Sequence, residues 1–345
     1  MNFSLSKAQF FLLFFIIETG IVYISFQTPL ISESKNNAWF IFIVTCLMHY
    51  GLLVFFERNY MYFNLNMFFQ WVYTIYWFLI TAMFIAYMEY VLASWVLPQT
   101  PEWVVILIIV SLSLYANLSR PETVINIGVM LIPIILLFVI FLMLAVPDLK
   151  WTNLFPLDFQ HHEQLLIGII HGSYAFFGIE MYLLYRPFVQ HELQVKGKPL
   201  FIYQTIIFVF YVISVLFSQM FFALDEIELI PEPMIYILKA QEVTFVKRLD
   251  IFFVYIWLSW SIVTVMIYGL SFRILHFRKH RKRPKLGIVV YHILLAIIPH
   301  FFIQFRRIEI IKNSLHYLFI LFSFLLPLFI IYWNKWRGKK CTERG

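Results

Sequence analysis

Long apolar segments constrain this chain more than any other feature. Of its 345 residues, 62% are hydrophobic and only 13% are charged, whereas about 25% of the residues in soluble domains are charged. A helix needs roughly 20 mostly apolar residues to cross a bilayer. Ten such segments lie at about 8–29, 38–56, 72–97, 102–118, 122–146, 164–185, 200–222, 249–272, 286–305 and 313–333. The sequence therefore predicts an all-α polytopic membrane protein with about ten transmembrane helices.

The ten segments divide into two sets of five within one integral membrane domain, 1–345. The first repeat covers about 8–146 and the second about 164–333, followed by a basic cytoplasmic tail at 334–345. Because five is odd, the second set would cross the membrane in the opposite direction to the first. Inverted-topology transporters are built in this way.

Basic residues predict the orientation. If the amino terminus is cytoplasmic, 18 of the 26 lysines and arginines fall on the cytoplasmic side and 8 on the other. Cytoplasmic loops are richer in these residues, so both termini are predicted to be cytoplasmic. The densest basic run, at 278–285, is interpreted as a topology anchor touching membrane lipid rather than as a nucleic-acid contact.

Two apolar segments each carry a glycine two residues from a glutamate. The first segment contains Glu18, Thr19 and Gly20, and the sixth contains Gly178 and Glu180. A carboxylate in hydrocarbon is costly and often functional, while glycine loosens a helix. The two places occupy equivalent helices of the two repeats. The sequence therefore predicts that helices 1 and 6 are broken and that the breaks meet at a ligand site.

Breaking a helix frees amide donors and carbonyl acceptors that a ligand can satisfy. Positive helix ends suit a carboxylate and freed carbonyls suit an ammonium group, so an amino acid offers both partners. Structural alternatives remain open. Gly20 and Gly178 could serve close helix packing, Glu18 could be a protonated glutamate bonded to a neighbouring helix, and Glu180 could pair with Arg186 or solvent.

Ion coupling is also left open. Hydroxyls of the eighth segment could hold Na⁺ together with carbonyls of the first, although hydroxyls in helices usually bond their own backbone. These hydroxyls belong to Ser259, Ser261 and Thr264. Coupling to H⁺ or Na⁺ is therefore possible, and no other cofactor is expected.

Metal and enzyme signatures are weak. Adjacent helical residues point about 100° apart, so His161, His162 and Glu163 are not expected to share a metal ion. The scattered intramembrane histidines, His49 among them, are interpreted as packing or interfacial residues. The sequence lacks a phosphate-binding glycine loop, a Gly-x-Ser-x-Gly elbow and a His-Glu-x-x-His pair, so we predict no enzyme activity.

Two motifs resemble those of a known superfamily. Tyr174-Ala175-Phe176-Phe177-Gly178-Ile179-Glu180 resembles the sixth-helix motif of the amino acid–polyamine–organocation superfamily, and Ile17-Glu18-Thr19-Gly20-Ile21 resembles its first-helix Gly-Ser/Thr-Gly-Ile motif. More narrowly, the chain resembles the B-subunit permeases of spore germinant receptors, the GerAB-like or Ger(x)B family, across all ten segments. Further matching features are Ser6-x-x-Gln9, Ser119-Arg120-Pro121-Glu122, Pro187-Phe188-Val189, Arg248-Leu249-Asp250 and Trp257.

The resemblance implies a LeuT-like fold of five plus five inverted repeats in the spore inner membrane. It also implies a small-molecule germinant, often an amino acid, with an A-type membrane subunit and a C-type lipoprotein as partners. By the same resemblance, Thr19, Gly20 and Ile21 would face the ligand carboxylate, while Phe176, Phe177 and Gly178 would supply amine contacts and an aromatic gate. With both glutamates, the candidate ligand-binding residues are Glu18, Thr19, Gly20, Ile21, Phe176, Phe177, Gly178 and Glu180.

Glu18 departs from the superfamily pattern because it stands where the first glycine of the motif is expected. An ionised Glu18 would repel a ligand carboxylate and favour a cation, whereas a protonated one could donate a hydrogen bond. The expected function is a germinant-sensing, permease-like receptor subunit. The alternatives are an H⁺- or Na⁺-coupled amino acid transporter and a membrane scaffold with a vestigial pocket.

Overall fold

The computed structural model describes residues 3–20, 22–158, 162–190, 194–241, 248–277, 284–304 and 317–339. Over these residues the regular structure is helical, with one isolated bridge between Leu5 and Val189 and no β-strand. Eight helical stretches of the described chain are long and apolar enough to cross a membrane, and Glu102–Leu118 is a shorter apolar helix. The predicted class is confirmed: this is an all-helical, multi-pass membrane protein.

The first half of the chain contains six α-helices. These are α1 (Lys7–Thr19), α2 (Gln27–Ser34), α3 (Ala38–Asn59), α4 (Met67–Trp95), α5 (Glu102–Leu118) and α6 (Pro121–Leu142). Local chemistry accounts for several starts. Ser6 and Gln9 form a capping box at α1, because each side chain bonds the backbone N–H of the other. Pro121 begins α6, where its missing N–H has no intrahelical partner to lose.

The described residues of the second half contain eight more α-helices with defined bounds. These are α7 (His162–Ser173), α8 (Met181–Tyr185), α9 (Lys198–Phe221), α10 (Leu224–Ile227), α11 (Pro233–Lys239), α12 (Leu249–His276), α13 (Pro284–Gln304) and α14 (Leu326–Trp336). A π-helical turn, Ile320–Leu325, leads directly into α14. Between α9 and α12, the helix α11 packs inward, since four of its apolar side chains are fully buried.

The first and sixth predicted segments do not contain one continuous α-helix. Regular α-helix ends at Thr19, a 3₁₀ turn covers Val22–Ile24, and α2 begins at Gln27. Similarly, α7 ends at Ser173, a 3₁₀ turn covers Tyr174–Phe176, and α8 begins at Met181. We call these two stretches, 20–26 and 174–180, the first and second interruptions.

Both interruptions lie in the interior of the helix assembly. Tyr23, Ala175, Phe176 and Ile179 are essentially inaccessible. The outward faces of the helices also carry apolar side chains. On α6, for example, Met130 is 76% exposed, whereas Phe138 on the inward face is fully buried. Large apolar side chains on the outside suit a surface that faces lipid.

Two segments predicted from the sequence, the tail and the basic anchor, lie partly outside the described residues. The predicted tail at 334–345 begins inside α14, where the Asn334 amide donates to the carbonyl oxygens of Tyr62 and Asn64, each at 2.9 Å. Residues 278–283 of the predicted basic anchor and 340–345 of the tail lie outside the described residues.

Candidate functional site

Side chains on one face of α12 donate hydrogen bonds to backbone carbonyl oxygens at the end of α1. Three carbonyl oxygens accept hydrogen bonds there: Thr19 from Trp260 Nε1 at 3.1 Å, Gly20 from Ser261 Oγ, and Ile16 from Thr264 Oγ1 at 3.0 Å. Carbonyls at a helix end lose their intrahelical donors, as at Thr19 and Gly20, whereas the Ile16 carbonyl oxygen also accepts from the Gly20 N–H at 2.9 Å. The hydroxyls predicted as Na⁺ ligands at Ser261 and Thr264 therefore contact carbonyls of the first segment as donors. Ser259 instead donates to Tyr255 O of its own helix at 2.8 Å.

The two candidate glycines are required for different reasons. Gly20 keeps helical backbone angles, with φ of −58°, but a Cβ there would lie 1.9 Å from Thr264 Oγ1. Gly178 has φ of +93°, a conformation that other residues rarely adopt. A Cβ on Gly178 would also lie 2.5 Å from Ile17 Cγ2. The second interruption therefore packs directly against α1.

A tyrosine hydroxyl joins the end of α1 to the second interruption. Tyr211 Oη lies 2.7 Å from the carbonyl oxygen of Glu18 and 2.6 Å from that of Ala175. Its single proton faces both carbonyl oxygens, so this buried side chain of α9 bridges the end of α1 to the second interruption. Sequence reasoning did not single out Tyr211.

The Glu18 carboxyl group points toward α3 and α9. It is fully buried; Oε1 lies 2.8 Å from His49 Nε2, and Oε2 accepts a hydrogen bond from the Tyr203 hydroxyl at 2.7 Å. On its other side, His49 Nδ1 lies 2.8 Å from Gln204 Oε1. This arrangement matches the alternative in which Glu18 bonds neighbouring helices, and it gives His49 a more specific contact than packing.

The Glu180 carboxyl group is also buried and fully engaged. Oε1 accepts from Trp77 Nε1 at 2.9 Å, and Oε2 accepts from Ser323 Oγ at 2.6 Å. Arg186 pairs instead with Glu57 at 2.7 Å, so the Glu180–Arg186 pair considered from the sequence does not form. Ser323 lies in the π-helical turn that precedes α14.

The two aromatic residues of the second interruption enter different clusters. Phe176 stacks on the His49 imidazole, with ring centroids 3.9 Å apart and planes 11° apart. Phe177 packs against Phe84 and Phe319, with centroid distances of 5.3 and 5.4 Å. Phe176 thus belongs to the Glu18 network and Phe177 to the α4 side. Ile21, the remaining candidate, lies outside the described residues.

Several contacting residues were not among the candidate site residues of the sequence analysis. They are His49, Trp77, Tyr203, Gln204, Tyr211, Trp260, Tyr268 and Ser323. They are polar groups within apolar segments, and hydropathy alone does not distinguish such groups from packing residues. Tyr268 is notable because its buried hydroxyl has no hydrogen-bond partner within the described part of the chain. A Cβ on Gly178 would lie 3.5 Å from that hydroxyl.

Comparison with known proteins places this architecture in a family. The profile of the Spore_permease family, described as "Spore germination protein", matches residues 4–307. The chain belongs to this family. It is also similar to the spore germination protein GerQB of Bacillus cereus, with 25% identity over 213 residues. The matched region covers 61% of this chain and 56% of that relative, so it spans little more than half the relative's length. The family resemblance inferred from the motifs is confirmed.

Proposed function

We propose that this protein is a germinant-sensing, permease-like subunit of a spore germinant receptor. It binds a small ligand such as an amino acid at the two interruptions and passes a conformational change to partner subunits. An A-type membrane subunit and a C-type lipoprotein are the proposed partners, and the role is not enzymatic. Membership of the spore germination family supports this assignment.

The proposed architecture is a LeuT-like arrangement of two inverted sets of five spans. In this arrangement α1 with α2 forms the first span and α7 with α8 forms the sixth, each broken at its interruption. The α-helix ends at Thr19 and Ser173 support it. The excess of basic residues on one side supports cytoplasmic termini, and the family supports a location in the spore inner membrane.

The contact between the end of α1, where the first interruption begins, and the second interruption is the observation that carries the proposal. Tyr211 bonds the carbonyl oxygens of Glu18 and Ala175, and Gly178 packs on Ile17. A ligand that enters this contact changes the geometry of both interruptions together. It shifts the conformational equilibrium only if it binds one arrangement more tightly than the other.

The ligand chemistry follows from the groups that remain free to bind. Polar groups of the protein already contact both oxygens of Glu18 and of Glu180. Recognition therefore relies on the backbone near Thr19, Gly20 and Gly178, where the carbonyl oxygens bonded by Trp260 and Ser261 each keep a second lone pair, together with the Tyr268 hydroxyl. A backbone site of this kind suits the ammonium and carboxylate of an amino acid.

Replacing Gly178 tests the site. In spores carrying Gly178→Leu, the concentration of germinant needed for half-maximal germination should rise at least about tenfold. A free-energy difference of about 1.4 kcal/mol changes affinity tenfold. The clash and the positive φ together cost more free energy than that. The level of the variant in the spore membrane is measured by immunoblot.

Gly197→Leu is the matched control. Gly197 also has a positive φ, of +80°, but a Cβ there meets no atom within 4 Å. It carries the same kind of backbone strain away from the interruptions and should leave the dose response unchanged. A normal dose response in the Gly178→Leu spores, at normal protein level, contradicts the site assignment.

A secondary transporter driven by H⁺ or Na⁺ is the alternative function. The observation that favours it is the buried contact between the Glu18 carboxyl group and the His49 imidazole. Such a pair can change its charge inside the membrane region, which proton-coupled transporters require.

A further inference from the structure

The Glu18–His49 contact is a closed polar cluster in an apolar interior. The side chains of Glu18 and His49 are 0% and 1% exposed. No lysine or arginine of the described residues forms an ion pair with Glu18. The net charge of this cluster therefore depends on how many protons its own groups carry.

Hydrogen-bond directions in the cluster fix where protons must lie. Gln204 Nε2 donates to the carbonyl oxygen of Cys46 at 2.9 Å, and a carbonyl can only accept. The Gln204 oxygen therefore faces His49 Nδ1, so Nδ1 must carry a proton and donate it. Rotating the amide by half a turn would bring two acceptor oxygens together at Cys46.

The contact between the second imidazole nitrogen, Nε2, and the Glu18 carboxyl group then requires one further proton. In a neutral imidazole protonated on Nδ1, Nε2 carries a lone pair. This nitrogen lies 2.8 Å from Glu18 Oε1, and an ionised carboxylate would oppose its own lone pair to that of Nε2. The contact is attractive only if one proton lies between the two atoms, on either the carboxyl or the imidazole.

We propose that Glu18 and His49 form a proton-binding site that holds one shared proton in the folded protein. With the proton, the pair is neutral overall, either as two neutral groups or as an ion pair. Without it, one uncompensated negative charge remains in a site from which water is excluded, and this is strongly unfavourable. The ligand of this site is a proton.

Few other ionisable groups face the pair. Tyr203 and Tyr211 approach from α9, and Cys46 lies one turn before His49 on α3. Glu180, on the second interruption, is bonded to Trp77 and Ser323. The charged residues of α6 and α12 lie in their first and last turns, at Glu122, Asp250 and Arg273. No neighbour in the described interior supplies a compensating positive charge.

The shared proton links the pair to the end of α1 and to the second interruption. Glu18 lies in the last turn of α1, and its carbonyl oxygen is bridged through Tyr211 to Ala175. The His49 ring stacks on Phe176. Loss of the proton makes the contact between Glu18 and His49 repulsive and so separates α1 and the second interruption from α3. The proton stabilises the arrangement seen here.

Equilibrium unfolding of the full chain in mixed detergent micelles tests the site at several pH values between about 7 and about 9, where a solvated histidine is already mostly neutral. A solvated glutamate and histidine share no proton at the upper end of this range. The folded wild-type protein should therefore lose stability as pH rises, by up to about tenfold in the folding constant per pH unit for one retained proton.

Glu18→Gln is the main variant. A glutamine can donate its amide to His49 Nε2 and still accept from the Tyr203 hydroxyl, so it reproduces the protonated glutamate without a shared proton. Its stability should stay level across the range. The double variant Glu18→Leu/His49→Leu removes the pair altogether and should also stay level, and it serves if the glutamine variant does not fold.

His292→Gln is the matched control. His292 is equally buried, but its nitrogens contact Ser113 Oγ and Ile288 O rather than a carboxyl group. This variant should keep the wild-type dependence on pH. The proposal is overturned if the wild-type protein and the variants lacking Glu18 show the same slope, or if His292→Gln removes the slope.

Discussion

At the scale of single residues, the Tyr268 hydroxyl is the best candidate for a direct ligand contact. It is buried and has no hydrogen-bond partner among the described residues, and it lies 3.5 Å from the position that a Cβ on Gly178 would occupy. A buried hydroxyl without a partner normally costs stability. A ligand group that bonds it recovers that cost, which makes the position favourable for recognition.

Tyr268→Phe should therefore weaken the response and spare the fold. We expect the half-maximal germinant concentration to rise about five- to fifteenfold, since one hydrogen bond contributes about 1–1.5 kcal/mol. The free energy of unfolding should stay the same or rise slightly, because no bond within the described protein is lost. Germination assays and unfolding of the purified protein measure the two quantities.

Tyr185→Phe is the control for that variant. The Tyr185 hydroxyl lies 3.0 Å from the carbonyl oxygen of Ile267 and 2.9 Å from Ser271 Oγ, so its loss should reduce stability by about 1 kcal/mol and leave the dose response unchanged. If Tyr268→Phe instead loses stability and keeps its response, its hydroxyl has a structural role and no ligand role.

At the scale of structural elements, α8 and the turn after it, which follow the second interruption, are bonded to α3. Arg186 Nε and Nη2 bond the two oxygens of Glu57 at 2.7 and 2.9 Å, and the Tyr182 hydroxyl donates to Glu57 at 2.8 Å. The bridge between Leu5 and Val189 adds the amino-terminal segment to the same place. These contacts hold α8 against α3, whereas the residues of the second interruption are not part of an α-helix.

Removing Arg186 should therefore be costly. Its side chain and that of Glu57 are only 10% and 6% exposed, and leaving one charge of a buried pair alone costs about 3–5 kcal/mol. We expect Arg186→Met to lower the free energy of unfolding by roughly that amount, measured in mixed micelles.

Lys35→Met gives the comparison, because the Lys35–Glu228 pair is nearly half exposed on both sides. Exposed pairs contribute about 0–1 kcal/mol, so this variant should be almost as stable as the wild type. Equal losses for the two variants would mean that Arg186 and Glu57 are solvated in the membrane-bound protein.

At the scale of the whole molecule, the question is whether ligand binding is coupled to transport. The purified protein in liposomes distinguishes the two functions. We expect a germinant to bind and to stabilise the protein, by about 2.7 kcal/mol at a hundredfold excess over its dissociation constant, without accumulating inside when a proton or sodium gradient is imposed.

Gradient-driven accumulation would instead establish the transporter. Glu18→Gln is the informative variant in that case, because it removes the shared proton of the pair proposed above. Uptake that responds to a proton gradient in the wild type and not in the variant would assign coupling to this pair. Uptake driven only by sodium would direct attention to Ser261 and Thr264, whose hydroxyls contact the carbonyls of Gly20 and Ile16.

The sequence by itself determined the class and the family, and it located several of the long apolar helices. Hydrophobicity adds up locally along the chain, so 102–118 could be read directly and coincides with α5. The motifs around Gly20 and Gly178 were equally local, and they identified two glycines that the structure requires for close approach.

Only the tertiary structure decided the partners of the buried polar groups. Glu18 contacts His49, 31 positions away, and Tyr203, 185 positions away, and Glu180 contacts Trp77 and Ser323 rather than its near neighbour Arg186. Such pairs depend on which helix faces pack together, and local pattern carries no record of that packing. A buried polar group must find a partner, but the identity of the partner depends on the fold of the whole chain.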